Sequence, residues 1–239
     1  MNKIATIIVL GFLSFHIQAQ EKKLLNNAPL KEWYGMSGSE LIFSSGKVVN
    51  NGTTLDNRIR FSLFFHLQHQ NHYDFNKHVG FYTGFALINV GFINRMHVPN
   101  TTDAEIRQRS YSLGIPLALK VGNMERGNYL AFGVEGELMF HYKRKVYYGG
   151  NKSKMSEWLS PEVNLFNPSV FAELRFHHGG YIRVKSYLLD FLVNKSTPFY
   201  LPESGVLVNY KPEQSRLAYI AIGTVLQIKK KKRATVKDV

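Results

Sequence analysis

The chain has 239 residues, enough for one ordinary domain or one small membrane barrel, with 44% hydrophobic residues, a formal net charge of +13 and no cysteine. The missing cysteine excludes disulfide staples, thiolate metal sites and cysteine nucleophiles. No apolar run after residue 20 approaches the roughly 20 residues that a spanning helix needs, so helical membrane insertion is not expected.

In chain order, Met1-Asn2-Lys3 precedes an apolar stretch from Ile4 to Ile17, followed by Gln18-Ala19-Gln20. A basic start, a short apolar core and a small residue before a polar chain predict a secretory signal peptide over 1–19, cleaved after Ala19. Export turns the positive charge away from nucleic acid and towards lipid phosphates and lipopolysaccharide. Residues 20–31 read as a polar N-terminal periplasmic arm.

From about Trp33 the pattern is β. A first strand over about 32–45 is followed by a second over 58–68, with Ile59, Phe61, Leu63, Phe65 and Leu67 on one face and Arg60, Ser62, His66 and Gln68 on the other. A third strand covers about 78–94. The fourth, 109–121, alternates Tyr111, Leu113, Ile115, Leu117, Leu119 and Val121 against Ser110, Ser112, Gly114, Pro116, Ala118 and Lys120. The fifth, 128–146, sets Leu130, Phe132, Val134, Leu138, Phe140 and Tyr142 outward, with Glu135, Glu137, His141 and Lys143 opposite. The sixth, 164–176, opposes Val170, Ala172, Leu174 and Phe176 to Glu173 and Arg175. The seventh, 181–192, opposes Ile182, Val184, Ser186 and Leu188 to Arg183, Lys185 and Tyr187. The eighth, 216–229, carries Ala218, Ile220, Ile222, Thr224, Leu226 and Ile228 on its apolar face.

Connection lengths alternate. Segments 70–77, 123–127 and 177–180 are short, whereas 44–57, 95–108, 147–163 and 194–215 are long and polar. Outer-membrane barrels have short periplasmic turns and long external loops. Aromatics near strand ends (Trp33, Tyr34, Tyr73, Phe75, Phe81, Tyr82, Tyr129, Tyr142, Tyr147, Tyr148, Tyr181, Phe191 and Tyr219) read as interface girdles. The expected architecture is all-β: an eight-stranded antiparallel up-and-down transmembrane β-barrel over 32–229, both termini periplasmic, with a basic tail over 230–239. A hairpin hidden in the last long loop would raise the count to ten.

The segment from Arg109 to Gly122, containing Tyr111, Ile115-Pro116-Leu117 and Lys120, resembles the Tyr-x-x-x-Ile-Pro-Leu-x-x-Lys strand of the PorT-like outer-membrane β-barrel family of Bacteroidetes. The Gln-Ala-Gln end of the signal and Gly80-Phe81-Tyr82-Thr83-Gly84 before a long strand are similar to that family too. The resemblance implies an outer-membrane location and a barrel of about eight strands. It supplies no catalytic residues or cofactor, and it links the name-giving member to type IX protein secretion. The chain departs from the family in ending on a basic tail rather than an aromatic residue.

Several groups of residues could carry chemistry. If the alternation holds, Arg60, His66, Lys120, Glu135, Glu137, Lys143, Glu173, Arg175, Arg183 and Lys185 face a lumen only wide enough for side chains. Lys120 would pair with Glu135 or Glu137, and Glu173 with Arg183 or Lys185, as a charged plug; a narrow ion path is the alternative. A lipid-active enzyme would need a serine within reach of a histidine. Ser62 and His66 share a face, but four residues along a strand is about 13 Å, and no Gly-x-Ser-x-Gly elbow occurs. His69, His72 and His78 could meet His177 and His178 at one end, where polar turn residues are the blander reading of the same set. Lys229, Lys230, Lys231, Lys232 and Arg233 would touch anionic headgroups or an acidic partner. Two loop segments rich in aromatics, 147–158 and 197–202, are binding candidates. The reading that follows is a non-enzymatic outer-membrane barrel without metal or cofactor, meeting outer-membrane lipids, lipopolysaccharide and a periplasmic or secretion-machinery protein; a small pore and a lipid-modifying enzyme are the alternatives.

Overall fold

The computed structural model describes residues 30–63, 66–98 and 103–228. The expected signal peptide, nearly all of the N-terminal arm and the basic tail from Lys229 to Arg233 lie outside the described residues. Among the described residues there are fourteen strands: β1 (Trp33–Asn50), β2 (Thr53–Thr54), β3 (Asp56–Arg58), β4 (Arg60–Ser62), β5 (Leu67–Asp74), β6 (Val79–Met96), β7 (Ala104–Asn123), β8 (Asn128–Tyr148), β9 (Asn151–Trp158), β10 (Phe166–Arg175), β11 (Gly180–Tyr187), β12 (Phe199–Tyr200), β13 (Leu207–Val208) and β14 (Pro212–Ile228).

Their pairing makes an eight-stave antiparallel barrel. The ring runs β1, β5, β6, β7, β8, β10, β11, β14 and closes where β14 pairs with β1 from Gly35↔Ile228 to Asn50↔Pro212. Two staves are broken. β2, β3, β4 and β5 descend as one interrupted stave beside β1, and β9 stands above β10 along the same edge of β8. Among the described residues closure gives each of the eight staves a partner on both sides, while β9 at the top pairs with β8 alone.

The connections alternate as expected, with three short turns at one end together with the start of β1 and the end of β14. The long excursions at the other end are shorter than the sequence pattern suggests, because two of them are hairpins. Asn51 and Gly52 have φ of 49° and 75°, and Gly149 and Gly150 have φ of 54° and 84°. Positive φ at both central residues is the type I′ geometry that matches strand twist, and Asn-Gly and Gly-Gly are the pairs that adopt it. Strand pairing therefore continues to Asn50 and Tyr148, through segments expected to be loop. The segment 188–211 remains long; its small β12–β13 hairpin adds no stave to the wall.

The two faces divide as the alternation requires. On β7, Leu113, Ile115, Leu117, Leu119 and Val121 are about half exposed, while Ser112, Ala118 and Lys120 are buried. β8, β10, β11 and β14 repeat this with Leu130, Phe132, Val134, Leu138, Val170, Leu174, Ile182, Val184, Ile220, Ile222 and Leu226 outside. From Leu113 to Val121 this belt covers about 27 Å along the strand. Trp33, Tyr73, Phe75 and Phe81 cluster outside at the turn end, with ring centroids 5.4 to 6.0 Å apart. Tyr111, Phe140 and Trp158 form a matching outward shelf above it, stacked at 6.3 and 5.7 Å.

Half of the expected girdle points inward. Tyr82, Tyr129, Tyr142, Tyr181, Tyr219 and Phe191 are buried. For Tyr142 the cause is a bulge. Ser112 pairs with Met139 and Tyr111 with His141, so Phe140 is an extra residue and the register shifts there. One inserted residue exchanges the faces of everything beyond it. Tyr142, Arg144 and Val146 turn inward, and His141, Lys143 and Lys145 turn outward, against the expectation for Tyr142, His141 and Lys143. Deleting Phe140 would make the β7–β8 ladder regular and leave every face as it is, with Tyr142 and Arg144 inward and Lys143 and Lys145 outward. The expected outcome is that the folded, faster-migrating band on unheated SDS gels is retained; its loss would show that the bulge itself is needed for folding.

Candidate functional site

The interior has two layers. The lower one, towards the short turns, is charged. Glu173 on β10 lies between two guanidiniums: Arg175 bonds one oxygen, and Arg183 donates to the other at 2.6 and 3.0 Å. Arg183 on β11 also reaches Glu40 on β1 at 3.1 Å and the Gln68 amide oxygen on β5 at 3.1 Å. Tyr181 accepts from Gln68 and donates to Glu40 at 2.8 Å. Below them Lys120 pairs with Asp74 at 2.5 Å and donates to the Tyr34 hydroxyl and to His72 Nδ1, each at 3.1 Å. His72 Nε2 then donates to Gln70, whose amide oxygen also takes Arg175 at 3.1 Å. Above them Lys185 lies between Glu135 at 2.6 Å and Glu137 at 2.5 Å, and Glu137 accepts from Ser112 at 2.6 Å and Tyr187 at 2.8 Å.

Of the residues that the sequence singled out for the lumen, Lys120, Glu135, Glu137, Glu173, Arg175, Arg183 and Lys185 are all there and buried. Their partners differ in part. Lys120 takes Asp74 instead of Glu135 or Glu137, which stand higher in the lumen beside Lys185. Glu173 does take Arg183. Arg60 is not part of these ion pairs: half-buried, it donates to the Asn89 side chain at 2.8 Å and backbone carbonyl at 3.1 Å. Glu40 and Asp74 escaped the sequence reading because their strands alternate weakly. The parity of the flanking Met36, Ile42, His72 and Gln70 was the signal that could have placed them.

The upper layer is apolar. Ile42, Val48, Ile88, Val90, Phe92, Ile106, Met139 and Val146 from the wall close around Phe191, Leu192, Leu201 and Tyr210, which belong to the long segment between β11 and β14. Phe191 meets Phe92 edge-on at 5.3 Å. Polar ties hold the segment down: Gln108 donates to the Tyr210 hydroxyl at 2.7 Å, Asn164 donates to the Asp190 backbone carbonyl at 2.6 Å, and Asn50 accepts from the Lys211 backbone at 2.7 Å. Of the loop residues singled out, Phe199 packs against Tyr210 and beneath Arg144, Tyr200 stays exposed, and Trp158 belongs to the outer aromatic shelf.

Ser62 and His66 meet, contrary to the strand arithmetic. Ile42 pairs with Ser62 and Gly38 with Gln68, so six residues on one stave span four on the other. With this excess Ser62 Oγ comes to 2.8 Å from His66 Nε2. His66 Nδ1 accepts the Asn89 backbone N–H at 3.3 Å, so in the neutral ring the proton sits on Nε2 and is donated to the serine. A histidine that activates a serine needs the opposite arrangement, with Nδ1–H held by an acid and Nε2 accepting.

The remaining histidines disperse. His72 faces the lumen, His69 bonds Ser37 at 2.8 Å, and His177 donates to the Arg126 carbonyl at 2.6 Å. Among the described residues no three His, Asp or Glu side chains form a metal-ligand group.

No family model matches the chain, and no curated protein matches it by sequence. Solved structures with a similar course include Ail, the attachment invasion locus protein of Yersinia pestis, at 12% identity and TM-score 0.37, covering 82% of this chain and 99% of that one. Neisserial surface protein A has 10% identity and TM-score 0.39, covering 81% and 97%. The outer membrane protein OprG from Pseudomonas aeruginosa has 11% identity and TM-score 0.36, covering 85% and 99%. TM-scores below 0.5 decide nothing further; the eight-stave architecture rests on the strand pairing itself.

Two outcomes follow from this geometry. Glu173→Gln leaves two buried guanidiniums short of their shared counter-ion and is expected to cost about 3–5 kcal/mol in urea unfolding from detergent micelles. A fluorophosphonate probe is expected to leave Ser62 unlabelled, as read by intact-protein mass spectrometry; stoichiometric labelling there would show an activated serine.

Proposed function

We propose that this chain is an outer-membrane β-barrel with a sealed lumen, acting as a non-enzymatic structural or interaction protein through its outer wall and external end. One observation carries the reading: the side chains are arranged inside out for a protein in water. Aliphatic residues cover the wall while Arg175, Lys120, Lys185 and Glu173 are almost wholly buried at the centre. Such a surface suits hydrocarbon, with aromatic clusters near the two edges of an apolar band about 25 Å tall. Orientation follows from the connections: short turns at one end and longer excursions at the other support placing the short turns on the periplasmic side.

The packing of both layers argues against a pore. An ion path through the lumen would have to cross the Phe92–Phe191 contact and the Glu173–Arg183–Glu40 bridge. The direction of the Ser62–His66 hydrogen bond argues against a serine hydrolase. An accessory role in protein secretion or envelope assembly comes from the resemblance of the Arg109–Gly122 strand to the PorT-like family, and with it an origin in Bacteroidetes. Planar-bilayer recording of the refolded protein is the test. The expected result is no sustained conductance step; reproducible unitary steps that persist at low voltage would favour the pore.

A further inference from the structure

Above the Tyr111–Phe140–Trp158 shelf the outer face of β7, β8 and β9 changes character. Register sets Arg109 directly opposite Lys143, Arg107 opposite Lys145, and Lys145 opposite Lys154; one step higher Lys152 stands opposite Tyr147. Side chains in such positions start about 5 Å apart, and like charges directly opposite destabilise a sheet. Elsewhere the wall resolves the same conflict internally. Lys47 stands opposite Arg216, but Arg216 reaches Asp190 at 3.6 Å and the Leu188 carbonyl at 2.7 Å. Arg107 bonds Glu105 at 2.6 Å, although that carboxylate also serves Arg58 at 3.4 Å and Arg95 at 4.0 Å. Among the described residues, Arg109, Lys143, Lys145, Lys152 and Lys154 have no carboxylate partner.

We propose that this patch binds the phosphate groups of an anionic glycolipid in the surrounding leaflet. The inference rests on the membrane reading above and names the wall site at which a lipid is held. Continuity chooses a lipid over a soluble polyanion. The cations project from the wall itself, in the same columns as Leu113, Leu138 and Phe166, and the Arg109–Lys143 pair is one strand repeat, about 7 Å, above the aromatic shelf. A lipid whose acyl chains lie against Leu113, Ile115 and Phe166 brings its phosphates to that height. Arg109 and Arg107 are already fixed over the Tyr111 and Tyr147 rings at 5.1 and 4.7 Å, which lowers the ordering cost of a bidentate phosphate contact. The bulge at Phe140 creates the patch by turning Lys143 and Lys145 outward.

The test uses the full chain in neutral detergent with three probes: bisphosphorylated lipid A, its dephosphorylated form and heparin. The expected result is that only bisphosphorylated lipid A raises the unfolding midpoint. Substituting Arg109, Lys143, Lys145 and Lys154 together by Gln should weaken its binding about a thousandfold. Without lipid that variant should unfold at or above the wild-type temperature, because repulsion has been removed. As a second variant, Lys145→Glu supplies Arg107 and Lys154 with an internal partner and should raise stability while lowering lipid affinity. Undiminished binding by either variant, equal binding of the dephosphorylated lipid, or a larger response to heparin would overturn the proposal, the last in favour of an acidic polysaccharide. A chain that proves soluble without detergent sinks the membrane reading before any lipid is added, whereas a chain that needs detergent but ignores phosphate sinks only the patch.

Discussion

Arg183 is the residue through which the interior is held together. From β11 its guanidinium reaches Glu173 on the neighbouring stave, Glu40 on β1 and Gln68 on β5, so one side chain ties four of the eight staves across the lumen. A buried ion pair is weak evidence for stability, since desolvating two charges can cost more than their attraction returns. Its consequence here is specificity. A stave that slipped by one residue would exchange its faces, carrying charges to the apolar side and aliphatic side chains into the lumen. For β11, where Arg183 and Lys185 alternate with Ile182 and Val184, that exchange would unpair both cations and three carboxylates at once. The network thus selects one register among several that would satisfy the backbone equally well.

The same logic explains why the lumen is layered. Below Met139 the interior is narrow and lined by strands in strict alternation, so polar side chains can be matched across it. Above the Phe140 bulge and the Ser62–His66 contact, the wall is less regular and the long segment before β14 folds back into it. Matching buried charges against a chain segment that also has to find its own place is harder than packing Phe191, Leu192 and Leu201 against Phe92 and Ile88. Apolar contact is non-directional and tolerates that freedom. The few polar ties, Gln108 to Tyr210 and Asn164 to Asp190, then fix the segment's position.

Legibility in the sequence followed regularity. β7, β10, β11 and β14 alternate without interruption, and their inner and outer faces could be read directly; seven of the ten lumen candidates lie in such runs or in the lower part of β8. The errors sit where one stave gains residues over its neighbour. The extra Phe140 reversed the faces assigned to Tyr142, His141 and Lys143, and the two extra residues between Ser62 and Gln68 made a contact that strand spacing forbids. An insertion of this kind leaves no compositional trace, because it is a relation between two strands rather than a property of one. The hairpins at Asn51-Gly52 and Gly149-Gly150 are legible in their turn residues, although both sit in polar segments that otherwise resemble loops. Glu40 and Asp74 were hidden differently: their strands carry polar residues on both faces, and periodicity then has no contrast to work with.

These relations also bear on the chain's charge. Among the described residues the lower lumen holds five carboxylates, on Glu40, Asp74, Glu135, Glu137 and Glu173, against four cations, on Lys120, Arg175, Arg183 and Lys185. The interior is close to neutral and slightly acidic, so it contributes nothing to a net charge of +13. The whole excess lies outside it. Part of that excess is set by register against itself on β7, β8 and β9, in a sheet that elsewhere matches Lys120 with Asp74 and Lys185 with two glutamates. Cations crowded on one face of a rigid wall, while carboxylates of the same chain are committed to its centre, leave a field that only an outside anion can relieve.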